Sequence, residues 1–144
     1  VSRLVVDASV AIKWFVDEPD TALANTVYLN HALVAPDLLG AECANILWKK
    51  HRRGDLAPNA FEQALLELET AAIELRGMRE LIALAGALAR RLDHPAYDCF
   101  YLALAMEEQA PFATADASLI RKLRAANFDA AEVLSLTEAA AFAA

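Results

Sequence analysis

Glycine is scarce in this chain, with four residues in 144, and proline adds five. That leaves no material for a phosphate-cradling loop. Neither a Walker loop, nor a G-x-S-x-G elbow, nor a glycine-rich dinucleotide fingerprint is present. Cysteine is scarcer still. Cys43 and Cys99 stand outside any CxxC or Cys/His cluster, which argues against a zinc site and a disulfide framework. A reducing, cytoplasmic setting is the simple expectation. No apolar run is long enough to span a membrane, and no signal-like segment stands ahead of the first expected strand, so a soluble protein is expected. The three histidines, His31, His51 and His94, are scattered beside expected helix ends and are weak candidates for general-base chemistry.

What is present is an ordinary domain length with 58% hydrophobic and 23% charged residues. Such a chain buries a core without staples, and one domain over residues 1–144 is expected. The formal net charge of −7 argues, taken alone, against a nucleic-acid partner. Positive charge is nevertheless clustered. Lys49-Lys50-His51-Arg52-Arg53 forms one basic run, and Arg121, Lys122 and Arg124 form another. Either could hold phosphates, or simply complement the dipole at a helix end.

Short apolar runs alternate with helical stretches. Leu4-Val5-Val6, Leu33-Val34-Ala35, residues 72–75, Phe112-Ala113-Thr114 and Val133-Leu134 read as strands. Helices are expected over 8–15, from about 21 to 31, 38–53 with Asp37 as cap and Gly54 as stop, and 58–69 with Pro58 in the first turn. Further helices are expected over 78–92, with Leu81, Leu84, Ala85 and Leu88 on one stripe, then 96–109, 117–126, and a short one opened by Thr137. This alternation predicts an α/β fold, a parallel sheet covered on both faces. The alanine-rich tail is read as docked or frayed helix.

Ligands of open α/β sheets bind beyond the carboxyl ends of the strands. Asp7 follows the first strand directly, and Asp116 follows the strand at 112–114. Each could equally be a helix cap. Glu42 and Asp98 lie near the starts of helices whose flanking residues are mostly apolar, where a carboxylate needs a partner. Two carboxylates about 6 Å apart at an effective dielectric of about 20 repel by roughly 3 kcal/mol. If all four converge, full ionisation costs on the order of 10 kcal/mol, so the cluster must take up protons or bind cations. Oxygen-only ligands favour Mg²⁺ or Mn²⁺. Such a centre suits phosphodiester hydrolysis by a metal-activated water.

Four segments, in order, carry a resemblance: Val5-Val6-Asp7-Ala8-Ser9, Pro36-Asp37-Leu38-Leu39 leading to Glu42 and Asn45, Tyr97-Asp98-Cys99-Phe100-Tyr101-Leu102-Ala103-Leu104-Ala105, and Ala113-Thr114-Ala115-Asp116. Together they resemble the PIN-domain nucleases, especially the VapC-type toxins of toxin–antitoxin (VapBC) pairs. The resemblance implies a PIN-like three-layer α/β/α fold with a central, mostly parallel sheet of four or five short strands. It implies that Asp7, Glu42, Asp98 and Asp116 are the catalytic, metal-binding acids, with Mg²⁺ or Mn²⁺ as cofactor. Ser9, Asn45 and Thr114 match supporting positions, Asn45 as a residue that orients Glu42 or a metal water. Lys49, Lys50, Arg52, Arg53 and Arg121 are the RNA-binding candidates. The resemblance further implies an RNA substrate, a homodimer and a cognate VapB-type antitoxin seated in a groove near Trp14, the second helix and Trp48. Both tryptophans are equally expected in the core. Cys99 stands where the family commonly has alanine; it and Cys43 read as small core residues. Two other readings remain open at this point: a PIN nuclease of RNA processing, or acting on DNA, outside a toxin pair, and a weakly active module that binds antitoxin or RNA.

Overall fold

A computed structural model describes residues 2–142 of the protein. The last two alanines of the tail lie outside the described residues. Five strands, β1 (Arg3–Val6), β2 (Ala32–Pro36), β3 (Ile73–Arg76), β4 (Phe112–Thr114) and β5 (Val133–Ser135), form one sheet in the order β3-β2-β1-β4-β5. Every pairing is parallel. Among the described residues there are eight α-helices: α1 (Ala8–Phe15), α2 (Thr21–Asn30), α3 (Leu38–Arg52), α4 (Pro58–Thr70), α5 (Ile82–Leu92), α6 (Ala96–Glu108), α7 (Ala117–Ala125) and α8 (Leu136–Ala141).

The apolar run of β1 follows from its place at the centre. Leu4, Val5 and Val6 are fully buried because both faces of the sheet are covered. Val5 joins Phe112, Leu39, Cys43, Leu88 and Tyr101 in the core on one side. Leu4 and Val6 point the other way, among Val10, Val27, Leu134 and Leu136. A smaller cluster of Ile12, Leu47 and Ala64 ties α1 to α3 and α4. The three-layer α/β/α arrangement expected from the alternation is therefore present.

Three local expectations are corrected. Residues 78–92 are not one α-helix: a 3-10 turn at Arg79–Leu81 precedes α5, a tightening common at helix starts, and Leu81, Ala85 and Leu88 still share the buried face. Pro36 ends β2 rather than stopping it one residue earlier. It lies beyond the last pair with β1, Val5 with Val34, so its missing N–H breaks no bond there. Asp37 stands before α3 with helical dihedrals and makes no side-chain cap. Gly54 does close that helix, at φ 85°, a conformation that glycine adopts without strain.

Candidate active site

The site grows from the register of β1 against β4. Val6 pairs with Ala113, so Asp7 and Thr114 emerge side by side at the carboxyl edge. Asp7 leaves the strand in extended conformation and caps α1, its Oδ1 accepting from the backbone N–H of Ser9 at 3.1 Å and of Val10 at 3.4 Å. The Ser9 hydroxyl donates to the same oxygen at 2.5 Å. Thr114 donates its hydroxyl to Asp7 Oδ2 at 2.6 Å. Both hydroxyls accept in turn: Ser9 Oγ from the N–H of Ala115 at 2.8 Å, Thr114 Oγ1 from the N–H of Asp116 at 3.1 Å. Asp116 caps α7 by accepting from the N–H of Leu119 at 3.1 Å. The capping alternatives thus hold for both aspartates, and the same bonds join them into one network.

Asp7 is 7% exposed. Burial pushes its carboxyl from 3.8 up to about 6, against the bonds from Ser9, Thr114 and Val10, and the charge of Asp98 adds to the rise.

Glu42 and Asp98 approach from helices on one side of the sheet. Burial raises the Glu42 carboxyl above its ordinary value, Tyr101 opposes the rise, and Asp98 adds to it. Asp98 therefore lies within electrostatic reach of both Asp7 and Glu42. The buried Tyr101 hydroxyl donates to Glu42 Oε1 at 2.5 Å. Burial, and then this bond, drive the phenol far above its usual range. His94 Nε2 stands 2.6 Å from Asp98 Oδ2.

Asn45, expected to orient Glu42 or a metal water, makes no hydrogen bond to Glu42 here. It is exposed, one turn along the outer face of α3, and Tyr101 holds Glu42 instead. Cys43 and Cys99 are fully buried, and burial pushes their thiols up to about 12 and about 11, which suits core residues and not metal thiolates.

The basic run sits at the far end of α3 from the acids. At 1.5 Å per residue, Lys49 and Arg53 lie roughly 10–16 Å beyond Glu42 along the axis. Lys50 is paired with Glu18 at 2.8 Å and Arg53 with Asp55 at 3.1 Å. Arg52 lies over the Trp48 ring, 5.4 Å from its centroid. Trp48 is 46% exposed, so it is a surface residue and not a core one. Trp14 is partly buried and donates its indole N–H to the Ala24 carbonyl at 2.7 Å. Arg121 is exposed on α7, the helix that Asp116 caps, five residues past that acid.

Among the described residues, no three His, Cys, Asp or Glu side chains stand close enough, as they lie, to hold one ion. Each acid is instead drawn to a donor: Asp7 to Ser9 and Thr114, Glu42 to Tyr101, Asp98 to His94, Asp116 to the start of α7. The donor set fits a hard divalent cation in kind, since it offers carboxylate oxygens only. It also fits in charge: burial first, and then the charge of Asp98, raises both Asp7 and Glu42, and a cation would relieve both effects.

The sequence profile of the PIN domain matches residues 4–125. The chain belongs to the PIN-domain family. This PIN domain is 34% identical over 126 residues to Ribonuclease VapC3 of Pyrobaculum aerophilum, covering 85% of the chain and 96% of that protein. Its fold is similar to the crystal structure of PAE2754 from Pyrobaculum aerophilum, with a TM-score of 0.71 at 20% identity over 98% of this chain and 97% of that one. It is also similar to VapBC2 from Rickettsia felis, solved bound to a DNA fragment from its promoter, with a TM-score of 0.65 at 12% identity over 92% of this chain and 98% of that one.

The contacts of His94, Tyr101 and Lys122 around the acids are what composition and motif do not show. A signal for two of them lies in helical spacing. Tyr101 stands three after Asp98 on α6, and His94 stands four before it, just ahead of that helix.

Proposed function

We propose that this PIN domain is a metal-dependent endoribonuclease of the VapC type, the toxin of a toxin–antitoxin pair. One observation carries the reading: Asp7 and Asp116, at the ends of adjacent parallel strands, are joined through Thr114, with Asp98 and Glu42 in the same field. The likeness to Ribonuclease VapC3 gives the reaction class.

Asp7, Glu42, Asp98 and Asp116 would hold Mg²⁺ or Mn²⁺. A bound ion of this kind lowers the pKa of a water and attracts a phosphodiester that bare carboxylates repel. The chain's own residues do the positioning. Ser9 and Thr114 fix both oxygens of Asp7, and Tyr101 fixes Glu42. Arg121 stands on the helix that Asp116 caps, where it would meet a backbone phosphate.

A shallow groove of about 310 Å³ runs between α1, α2 and α4, lined by Trp14, Phe15, Asn25, Tyr28, Glu67 and Thr70. It would take an apolar segment of a VapB-type antitoxin, and the net charge of −7 would attract a basic one. Leu75 on the edge strand and Ile82 at the start of α5 are exposed apolar surface that a second copy would cover in a homodimer. The buried free thiols suit a cytoplasmic setting.

The test is induced expression with sequencing of cellular RNA ends. The native chain should arrest growth and create new RNA ends, and Asp7→Asn should do neither. Growth arrest by both forms without new RNA ends would point to a binding mechanism and defeat the enzymatic reading.

A further inference from the structure

The loop between α5 and α6 carries a relay that ends on Asp98. Asp93 turns left-handed at φ 50°, and the His94 N–H reaches back to the Ala89 carbonyl at 3.1 Å, closing α5 in a Schellman arrangement. Pro95 then opens α6. The His94 side chain is thereby held at 16% exposure, four residues before Asp98.

Both ring nitrogens of His94 are engaged. Lys122 Nζ donates to the Asp93 carbonyl at 2.6 Å and stands 3.1 Å from His94 Nδ1. An ammonium carries donors only, so Nδ1 must accept. The ring proton then sits on Nε2, 2.6 Å from Asp98 Oδ2. Lys122 belongs to α7, the helix capped by Asp116, so the relay spans two of the helices that carry the acids.

We infer that His94, set in its Nε2–H tautomer by Lys122, is a positioning residue that fixes one oxygen of Asp98 and leaves the other open to a divalent ion. The inference rests on the reading of Asp98 as a ligand. A surface ion pair between two mobile side chains would be worth little. Here the histidine backbone is locked by the helix end and its ring is pinned on both sides, so the carboxylate rotamer is prescribed. Supporting partners of ligating carboxylates typically set metal affinity by 10–100-fold.

The test is Mn²⁺ binding to the metal-free full-length protein by calorimetry, together with long-range proton–nitrogen NMR of the histidine rings. His94→Leu keeps the bulk and removes the donor, and should weaken Mn²⁺ about tenfold or more. His94→Gln returns an N–H near the place of Nε2 and should bind within about threefold of native. Asp98→Asn is the control on the underlying reading. Native affinity in Asp98→Asn would sink the ligand assignment itself. Loss in Asp98→Asn with native affinity in His94→Leu would sink the positioning role alone, and so would equal loss in His94→Leu and His94→Gln. If His94→Leu does not fold, NMR of the native chain still decides. Nε2–H is expected, mixed with the other tautomer in Lys122→Met, and a native ring protonated on Nδ1 alone would overturn the relay.

Discussion

Thr114 is fully buried and donates to Asp7 across 2.6 Å while accepting from the N–H of Asp116. One hydroxyl thus serves the first and last acids of the site. Thr114→Val keeps the shape of the side chain and removes both bonds. It should cost about 2 kcal/mol near pH 8, where Asp7 is ionised, and less near pH 4.5, where the carboxyl is protonated. Urea unfolding at the two pH values measures this. Equal loss at both would show that the hydroxyl does not serve the charge of Asp7.

The buried carboxyl of Asp7 gives a second prediction. Burial raises it from 3.8 to about 6, so the folded chain holds this proton more tightly than the unfolded one. Stability then falls as pH rises from about 4 to 6, and the whole penalty, about 3 kcal/mol, is present above that. In metal-free protein, Asp7→Asn should remove the slope and be the more stable form at pH 7.5. Parallel stability curves for the two proteins across this range would contradict it.

Tyr101 reaches Glu42 from a different helix. Tyr101→Phe leaves the ring beside Phe112 and takes away only the donor. Leaving a half-buried carboxylate short of a bond should cost about 1–3 kcal/mol at neutral pH. RNA cleavage should fall with it, by about tenfold, since Glu42 is no longer held. Unchanged stability and cleavage would remove Tyr101 from the site.

Arg121 and Arg53 differ in their surroundings. Arg121 is exposed on the helix that Asp116 caps, whereas Arg53 already faces Asp55 at 3.1 Å. Arg121→Ser should weaken RNA binding severalfold and flatten its salt dependence by about one counterion. Arg53→Ser should change both less. The comparison is made by titration of RNA at several salt concentrations in an Asp7→Asn background.

Much of this architecture is legible in the sequence because its signals are local. The run Leu4-Val5-Val6 marks a strand buried on both faces, and Asp7 after it marks the carboxyl edge. Pro58 and Gly54 punctuate helices where their backbone preferences require. What escapes is what depends on packing between distant segments. Asn45 sits one turn from Glu42 and suggests a partner, yet the rotation of α3 turns it to solvent and hands Glu42 to Tyr101, 59 residues away. Trp48 reads as core by composition, but α3 presents it outward beneath Arg52. Lys122 gains meaning only when α7 packs beside the loop that carries His94.

If the acids at the sheet edge hold a divalent ion, RNA cleavage by this chain depends on that ion. Cleavage of labelled RNA by purified native and Asp98→Asn protein, with EDTA and then with added Mg²⁺ or Mn²⁺, tests it most directly. The native chain is expected to cleave in a way that EDTA stops and either ion restores, and Asp98→Asn is expected not to cleave although it remains folded. Cleavage that survives EDTA, or that Asp98→Asn performs at the native rate, would contradict it.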